Sequence, residues 1–305
     1  MLKVAVEPEC WRRQSLVQAV EVGGGEVVRP DVAEGLVWAE PARADLLPPM
    51  LDTNPNIEWV QLPYAGIEAF LEMFRSRPHL TWTCGKGVYA APVAEHALML
   101  ALAGFRGLAT YGRAESWSEP EGQNLIGANV TILGGGGITE ELLPLLSPFR
   151  CQVTVVRNQE LPMAGAKEVV GSEHLHDVLP NTDLLVLALA LTPETSGIIA
   201  EKELALLPRH AWIINVARGG HIITSDLVKA LQTDAIGGAA LDVTDPEPLP
   251  DEHPLWSLQN CIITPHIGNT PEMGLPLLAE RVSANVRRYI DGLPLLGPVD
   301  ITLGY

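Results

Sequence analysis

The sequence predicts an α/β protein with two Rossmann-like or flavodoxin-like domains, each built on a doubly wound parallel sheet. Short apolar runs alternate with helical segments along the whole chain, and nearly continuous apolar strands between helices are typical of parallel sheets covered on both faces. The length of 305 residues exceeds what one hydrophobic core usually serves. We therefore predict a discontinuous domain from residues 1–91 and 274–305, with a second domain, residues 92–273, inserted in it.

The strand predictions follow the apolar runs in order. In the first domain the runs are LKVAV, GEVVRP, GLVWAE, IEWVQLP and LTWTCG, and in the second they are NVTIL, CQVTVVR, DLLVLALAL, AWIINVA, IGGAALDV and NCIITPH. A helix is predicted over residues 92–113, with Pro92 in its first turn, where proline is tolerated. Another begins near Met273 and crosses back to the first domain.

Charge and composition exclude several classes of partner. The net charge of −17 argues against nucleic acid, because phosphate binding needs a basic patch and the sequence has none. No uninterrupted apolar run reaches the ~18 residues of a membrane span, and the opening MLKVAVEPE is typical of a strand rather than a signal peptide. Four scattered cysteines without CxxC spacing indicate reduced thiols. We expect a cytoplasmic protein without nucleic-acid or membrane partners.

The run VTILGGGGITEELL predicts a strand, a tight turn and a helix. Gly134 and Gly136 have the G-x-G spacing that lets a backbone turn tightly and approach a pyrophosphate at a helix N-terminus. Thr139 stands where G-x-G-x-x-G has its third glycine, which puts the affinity of the loop in question. A turn without a ligand is the alternative. From the surrounding strand–helix repeat we predict dinucleotide contacts at Gly134, Gly136, Gly137 and Ile138.

Arg157 ends the next predicted strand. An acidic residue at that place would bond the ribose hydroxyls of NAD, whereas an arginine suits the 2′-phosphate of NADP. The strand CQVTVVR ends without Asp or Glu. We therefore predict that NADP is favoured over NAD; a solvent-exposed arginine without this role is the alternative.

Three chemically matched residues each follow an apolar strand run: Arg218 after AWIINVA, Glu247 after IGGAALDV and His266 after NCIITP. Loops at the carboxyl ends of parallel strands are where such sheets build their sites, so we expect the three to meet. An arginine can pair two-pronged with a carboxylate. A histidine can pass a proton to or from a carbonyl or hydroxyl, and a glutamate can hold its tautomer and favour its charged form. Together they predict the oxidation or reduction of a small acid.

Several segments, in this order, resemble the D-2-hydroxyacid dehydrogenase family: GVYAAPVAEHALMLAL, LALALTPETSGIIAEKELALLPRHAWIINVARGG, AALDVTDPEPLP and TPHIG. The resemblance covers nearly the whole chain and is strongest from Leu187 to Gly268. It implies reversible hydride transfer between a nicotinamide cofactor and a small 2-keto or 2-hydroxy acid, with glyoxylate, hydroxypyruvate and phosphohydroxypyruvate as candidate substrates. The chain departs from the family at Thr139 and in a short stretch between Arg113 and Leu125.

The resemblance also assigns roles to residues and domains. It implies a substrate domain at residues 1–91 plus 274–305 and a dinucleotide-binding domain at 92–273, with Arg218 on the substrate carboxylate and His266 with Glu247 as the acid/base pair. Substrate contacts are expected in the loops YAGIE and GKGV, at Tyr64, Ala65, Gly66, Lys86 and Gly87. A surface lysine is an equal alternative at Lys86. Further cofactor contacts are expected at Thr192, Ala217, Asp242 and Gly268.

Rival functions on this fold stay open. Formate and phosphite dehydrogenases are similar, although the formate enzymes carry glutamine where this chain has Glu247. An alternative of another class is a non-catalytic dinucleotide-sensing scaffold, which the departure from the glycine motif at Thr139 favours. The apolar helix after Pro92 favours a homodimer of the family type.

Three other histidines, His96, His174 and His176, are given no catalytic role. His174, His176 and Asp177 lack further ligands of suitable spacing, so we predict no metal site. His96 follows a glutamate on the long helix and is expected to have a packing role.

Overall fold

The structure is a computed structural model and describes residues 1–300. It contains two compact units, Met1–Tyr89 with Thr270–Tyr305, and Ala90–Asn269. The end of the predicted first domain, residues 301–305, lies outside the described residues. Each unit is built on one parallel sheet, so the predicted α/β class with two sheets is confirmed.

A five-stranded sheet forms the first unit. Its strands are β1 (Lys3–Glu7), β2 (Glu26–Val27), β3 (Gly35–Trp38), β4 (Trp59–Gln61) and β5 (Thr81–Thr83). Its helices are α1 (Arg13–Val22), α2 (Leu47–Thr53), α3 (Leu71–Ser76) and the last helix of the chain, α10 (Pro271–Ile290). The parallel strands lie in the order β2-β1-β3-β4-β5, which is the flavodoxin-like order.

A seven-stranded sheet forms the second unit. Its strands are β6 (Asn129–Leu133), β7 (Gln152–Val156), β8 (Glu168–Val170), β9 (Leu184–Leu187), β10 (Trp212–Asn215), β11 (Gly238–Leu241) and β12 (Cys261–Ile263). Its helices are α4 (Ala90–Phe105), α5 (Leu108–Tyr111), α6 (Gly137–Leu146), α7 (Leu175–Val178), α8 (Glu201–Leu206) and α9 (Thr224–Gln232). The order β12-β11-β10-β9-β6-β7-β8 reverses between β6 and β9, as in dinucleotide-binding folds. The sequence did not predict β8, because this edge strand holds only two apolar residues, both partly exposed.

The helix predicted over residues 92–113 is two helices, α4 and α5. Gly107 separates them with a φ of +62°, a left-handed conformation that glycine adopts without a steric cost and that a right-handed helix cannot contain. α4 packs closely on the sheet, since a Cβ on Gly104 would overlap the ring of Trp212. The apolar periodicity is therefore real, but the glycine ends the first helix.

The predicted last helix is confirmed as α10 and begins slightly earlier than Met273. Thr270 caps it by accepting a hydrogen bond from the Met273 N–H (3.3 Å), and Pro271 is its first residue, where its missing N–H costs nothing. Val282 and Val286 of this helix are fully buried in the core of the first unit. Within residues 1–300 no helix is both long and apolar enough to cross a membrane.

Candidate active site

Three neighbouring strands of the seven-stranded sheet end level with one another. Asn215 of β10 pairs with Leu241 of β11, which in turn pairs with Ile263 of β12. Parallel strands lie about 4.8 Å apart, so the loops that follow begin side by side. These loops carry the three predicted catalytic residues, Arg218, Glu247 and His266.

Arg218 lies in a turn that a buried amide holds. Asn215, only 1% exposed, donates from Nδ2 to the Arg218 carbonyl (2.9 Å) and accepts at Oδ1 from the Ala217 N–H (3.0 Å). Arg218 Nη1 donates to the Ala217 carbonyl (2.7 Å). A Cβ on Gly219 would overlap the carbonyl of Thr244, so the arginine turn packs directly on the loop that follows β11.

His266 and Glu247 form a close pair. Nδ1 of the imidazole lies 2.7 Å from Oε1 of the carboxylate, and both side chains are about half exposed. The Thr244 hydroxyl donates to the Pro246 carbonyl (2.9 Å) and fixes the loop that leads to Glu247. Because the carboxylate occupies Nδ1, proton transfer by this ring would use Nε2, as in an oriented acid/base histidine.

The backbone of His266 is in the left-handed region, with a φ of +53°. This conformation is uncommon for a non-glycine residue and persists only where the surroundings hold it. Here the His266 N–H donates to the carbonyls of Asp242 (2.8 Å) and Thr264 (2.9 Å). The direction of the imidazole is therefore set by the backbone as well as by Glu247.

Asp242 organises the loop around His266. Its carboxylate is 3% exposed and accepts from the Thr264 hydroxyl (2.6 Å) and from the N–H groups of Ile267 (2.9 Å) and Gly268 (2.9 Å). Burial alone raises the pKa of Asp242, but hydrogen bonds from His96, Thr264 and the two N–H groups outweigh it and hold the pKa at about 2. The predicted cofactor residue is therefore an ionised anchor for the TPHIG loop.

His96 belongs to the same network, so the predicted packing role was incomplete. Its Nε2 lies 3.0 Å from Thr264 Oγ1 and 3.2 Å from Asp242 Oδ1, and its side chain is 11% exposed. The sequence held a signal for this role, because His96 lies in GVYAAPVAEHALMLAL, one of the segments that carry the family resemblance.

The glycine loop has the geometry of a pyrophosphate cradle. Gly134 has a φ of +104°, and a Cβ there would overlap the Ala188 carbonyl. Gly136 directly precedes α6, and no atom lies within 4 Å of a Cβ placed on it. Gly137 and Ile138 begin α6, whose N-terminal N–H groups and positive dipole end favour an anion. These residues fit a dinucleotide.

Thr139, the departure from the glycine motif, is fully buried. Its Oγ1 donates to the Gly134 carbonyl (2.7 Å) and closes the loop from the helix side. The packing therefore accommodates the branched Thr139 side chain, which in the sequence put the affinity of the loop in question.

Arg157 lies against the glycine loop. A Cβ on Gly135 would stand 2.6 Å from Cδ and 3.0 Å from Cζ of the arginine. The Arg157 N–H donates to the Val170 carbonyl of β8 (3.0 Å), which fixes the residue at the end of β7. The guanidinium is thus held beside the loop that faces the anion position.

The remaining predicted cofactor residues also follow strand ends of the same sheet. Thr192 lies in a turn after β9, where its N–H donates to Thr195 Oγ1 (2.8 Å). Ala217 is buried in the arginine turn after β10. Gly268 follows β12, and a Cβ on it would stand 3.0 Å from Asp242 Oδ2, so glycine allows this close approach.

The predicted substrate contacts lie in the first unit, after β4 and β5. Tyr64 accepts from Arg12 Nη2 at its hydroxyl (2.9 Å) and from the Gly85 N–H at its carbonyl (3.0 Å). Sequence reasoning missed Arg12, which is 6% exposed and pairs with Glu40 (3.3 Å), because it precedes a helix rather than following a strand. Ala65 is exposed on this loop.

The neighbouring residues of that edge are more open. Gly66 is half-buried, and Lys86 is exposed. The Lys86 carbonyl accepts from Arg281 Nη1 (3.0 Å), which fixes its backbone. Gly87 has a φ of +78°, and no atom lies within 4 Å of a Cβ placed on it. Both residues keep their predicted place at a strand end.

Comparison with known proteins agrees with this geometry. Residues 96–268 match the family model of the D-isomer specific 2-hydroxyacid dehydrogenase NAD-binding domain. An uncharacterised protein from the proB 3′ region of Corynebacterium melassecola is 36% identical over the full length of both chains. Glyoxylate/hydroxypyruvate reductase A of Serratia proteamaculans is 31% identical over 88% of this chain and 87% of its own.

Solved structures share the whole architecture. A D-isomer specific 2-hydroxyacid dehydrogenase from Xanthobacter autotrophicus, in complex with NADPH and MES, has a TM-score of 0.85 at 26% identity over 99% of both chains. An NADPH-dependent glyoxylate/hydroxypyruvate reductase from Sinorhizobium meliloti, in complex with NADP and sulfate, has a TM-score of 0.83 at 25% identity over the full length of both chains. The chain belongs to the D-isomer specific 2-hydroxyacid dehydrogenase family and is an NAD(P)-dependent oxidoreductase.

Proposed function

We propose that this protein reduces small 2-keto acids to 2-hydroxy acids with NADPH. The observation that carries the proposal is the 2.7 Å contact of His266 Nδ1 with Glu247 Oε1, on loops level with the Arg218 turn. Glyoxylate and hydroxypyruvate are the first candidate substrates, because the names of the reductase relatives contain them. Phosphohydroxypyruvate is the third candidate.

The chemistry follows from the residues. Arg218 binds the substrate carboxylate, because its planar guanidinium matches two carboxylate oxygens. His266 donates a proton from Nε2 to the keto oxygen, while Glu247 on Nδ1 fixes the tautomer and stabilises the imidazolium before the transfer. The nicotinamide supplies the hydride when bound. In the reverse direction, Nε2 accepts the proton of the substrate hydroxyl.

The cofactor would be held by the glycine loop and the strand ends around it. Gly134, Gly136 and the first N–H groups of α6 suit the pyrophosphate, and Asp242 with Gly268 lies beside His266, at the nicotinamide end. Thr192 and Ala217 are the proposed contacts between these two ends.

Arg157 is the proposed ligand of the NADP 2′-phosphate. It is held against Gly135, beside the anion position, and two structural neighbours carry NADPH or NADP. We expect Arg157→Ala to lower kcat/KM for NADPH about 10- to 100-fold, which corresponds to the loss of one charged hydrogen bond. The kcat/KM for NADH should hardly change. Lys167→Ala, which removes an exposed positive charge just before β8, is the matched control. A wild-type preference for NADH would contradict this assignment.

A panel of 2-keto acids followed by NADPH oxidation tests the reaction itself. We expect turnover of at least one short 2-keto acid and its loss in Arg218→Ala. Tight NADPH binding by fluorescence without turnover of any acid would support the sensing scaffold instead.

The substrate assignments in the first unit stay a proposal. Tyr64, Ala65, Gly66, Lys86 and Gly87 follow strands at the carboxyl edge of their own sheet, where folds of this kind bind ligands. We expect Lys86→Ala to raise KM for phosphohydroxypyruvate more than KM for glyoxylate, because only the former carries a phosphate. Equal changes would remove Lys86 from the site.

We also propose a homodimer. Large apolar side chains on and after α4 are exposed in the single chain: Met99, Leu108, Trp117 and Ile126. Such exposure is typical of protein contact surfaces. Light scattering after gel filtration tests it, and a monomeric mass at micromolar concentration would refute it.

A cytoplasmic location is proposed from the thiols. Cys10, Cys84, Cys151 and Cys261 are all unpaired, as is usual in a reducing compartment. Immunoblots of cell fractions test the proposal, and enrichment outside the cytoplasmic fraction would contradict it.

A further inference from the structure

His221 is a completely buried histidine with no part in the chemistry above. It ends the short 3-10 turn Gly219–His221 that follows Arg218. Its Nδ1 lies 2.9 Å from the Arg218 carbonyl and its Nε2 3.2 Å from the Ala190 carbonyl. Carbonyl oxygens only accept hydrogen bonds and a neutral imidazole carries one N–H, so the ring can donate to either of the two carbonyls and lies against both.

The two carbonyls belong to two loops of the proposed site. Arg218 is the proposed carboxylate ligand, and Ala190 opens the segment that contains Thr192, a proposed cofactor contact. Each carbonyl has a second donor: Asn215 Nδ2 at Arg218 (2.9 Å) and Thr195 Oγ1 at Ala190 (2.8 Å). The imidazole contacts both carbonyls and so bridges the two loops.

Backbone hydrogen bonds join the same two loops farther from the His221 ring, and together with the ring they form the junction between the loops. The Gly197 N–H donates to the Gly220 carbonyl (2.8 Å), and the Ile199 N–H donates to the His221 carbonyl (3.0 Å). The Ile223 N–H donates back to the Ile199 carbonyl (2.9 Å). The far end of the junction is thus held by main chain, whereas the end nearest Arg218 is held by the His221 ring together with the Asn215 amide.

We propose that His221 is a positioning residue that locks the Arg218 turn to the cofactor segment that begins at Ala190. It rests on the proposed function for what the two loops bind. The contact of Nδ1 with the Arg218 carbonyl fixes the position of the Arg218 backbone, and therefore how far its guanidinium extends toward a carboxylate. Nε2 fixes Ala190, and so the start of the segment along the cofactor.

Two variants separate the two contacts. The amide nitrogen of His221→Asn takes the position of Nδ1 and keeps the donor to Arg218, whereas that of His221→Gln takes the position of Nε2 and keeps the donor to Ala190. His221→Phe removes both ring nitrogens and keeps a ring, and exposed His174→Asn is the control for the substitution itself.

KM, kcat and the NADPH Kd, the last by fluorescence, are then measured. We expect His221→Gln to raise KM for the keto acid about fivefold, with kcat and the NADPH Kd within twofold of wild type, because about 1 kcal/mol of hydrogen bonding is lost at one loop. His221→Asn should do the reverse, raising the NADPH Kd about fivefold and sparing KM. Identical profiles for the two variants, or a lower melting temperature with KM and Kd unchanged, would overturn the proposal.

Amide hydrogen exchange separates this inference from the proposed function. His221→Gln should speed exchange at residues 221 and 222, whose N–H groups donate to the Arg218 and Gly219 carbonyls. His221→Asn should speed it at Thr192 and Thr195, whose N–H groups are bonded within their turn, and neither readout needs a substrate. If the wild type reduces no 2-keto acid but the two variants change exchange at different loops in this way, the proposed function is refuted and the positioning role of His221 is supported. If exchange is the same in both variants, the lock is wrong whatever the activity. Should His221→Phe not fold, the Asn and Gln pair carries the test.

Discussion

The glycine loop and the loops that carry Arg218, Glu247 and His266 lie at the carboxyl edge of one sheet but are held by different means. The glycine loop is formed by backbone conformation, with Gly134 at a φ of +104° and a single side-chain hydrogen bond from Thr139. The loops of the proposed catalytic residues are held by buried polar side chains that hydrogen-bond to main-chain groups. Asn215 holds the arginine turn, and Asp242 holds the loop of His266.

This difference teaches where each region tolerates change. A loop made by backbone conformation keeps its shape when one side chain is altered, provided that the glycines with positive φ remain. A loop anchored on one buried carboxylate leaves several donors without partners when that carboxylate is lost. We therefore expect the loops of the proposed catalytic residues to respond more strongly to single substitutions than the glycine loop does.

The largest effect is expected from His266→Gln. The glutamine cannot act as general acid near neutral pH, so kcat should fall about 10²- to 10⁴-fold, while the NADPH Kd, which depends on the glycine loop, stays within about threefold. Steady-state kinetics and fluorescence titration measure the two quantities. The exposed His174→Gln serves as control. A kcat within tenfold of wild type would remove His266 from the acid/base role.

The next effect is expected from Asp242→Asn. The N–H groups of Ile267 and Gly268 would lose an ionised acceptor, and hydrogen bonds to charged groups contribute about 1.5–3 kcal/mol. We expect the free energy of unfolding, from urea titration at pH 7, to fall by about 3 kcal/mol. The exposed Asp177→Asn is the control and should change it by less than about 0.5 kcal/mol. A similar loss in both variants would contradict the anchoring role of Asp242.

The pH dependence of stability gives a smaller and independent effect. Asp242 has its pKa lowered from 3.8 to about 2 in the folded chain, so between these values the unfolded state binds more protons. The contribution is therefore fully present above pH 4 and is lost as the pH falls toward 2, by about 2 kcal/mol in all. The stability difference between wild type and Asp242→Asn should be about 1 kcal/mol smaller at pH 3 than at pH 6. A constant difference would mean that the carboxylate is not ionised preferentially by the fold.

The sequence predicted those features of the fold and the site that have a periodic or local signal. Apolar runs located most of the strands, and strand ends located Arg218, Glu247 and His266, because these signals are periodic or local. The edge strand β8 was missed because it holds only two apolar residues, both partly exposed. The break at Gly107 was missed because one glycine inside an apolar helix is not decisive. His221 was missed because its partners are carbonyl groups, which leave no mark in a sequence.

The smallest effect, and the sharpest test of the comparison, is expected at Thr139. Thr139→Val keeps the shape of the buried side chain and removes the hydroxyl that donates to the Gly134 carbonyl. One neutral hydrogen bond contributes about 1 kcal/mol, so unfolding should cost about 1 kcal/mol less and the NADPH Kd should rise only about twofold to fivefold. Thr139→Ser keeps the hydroxyl and should bind NADPH as the wild type does. If Thr139→Val instead lost as much stability as Asp242→Asn, the glycine loop would depend on a side-chain anchor after all, and its tolerance could not be attributed to backbone conformation.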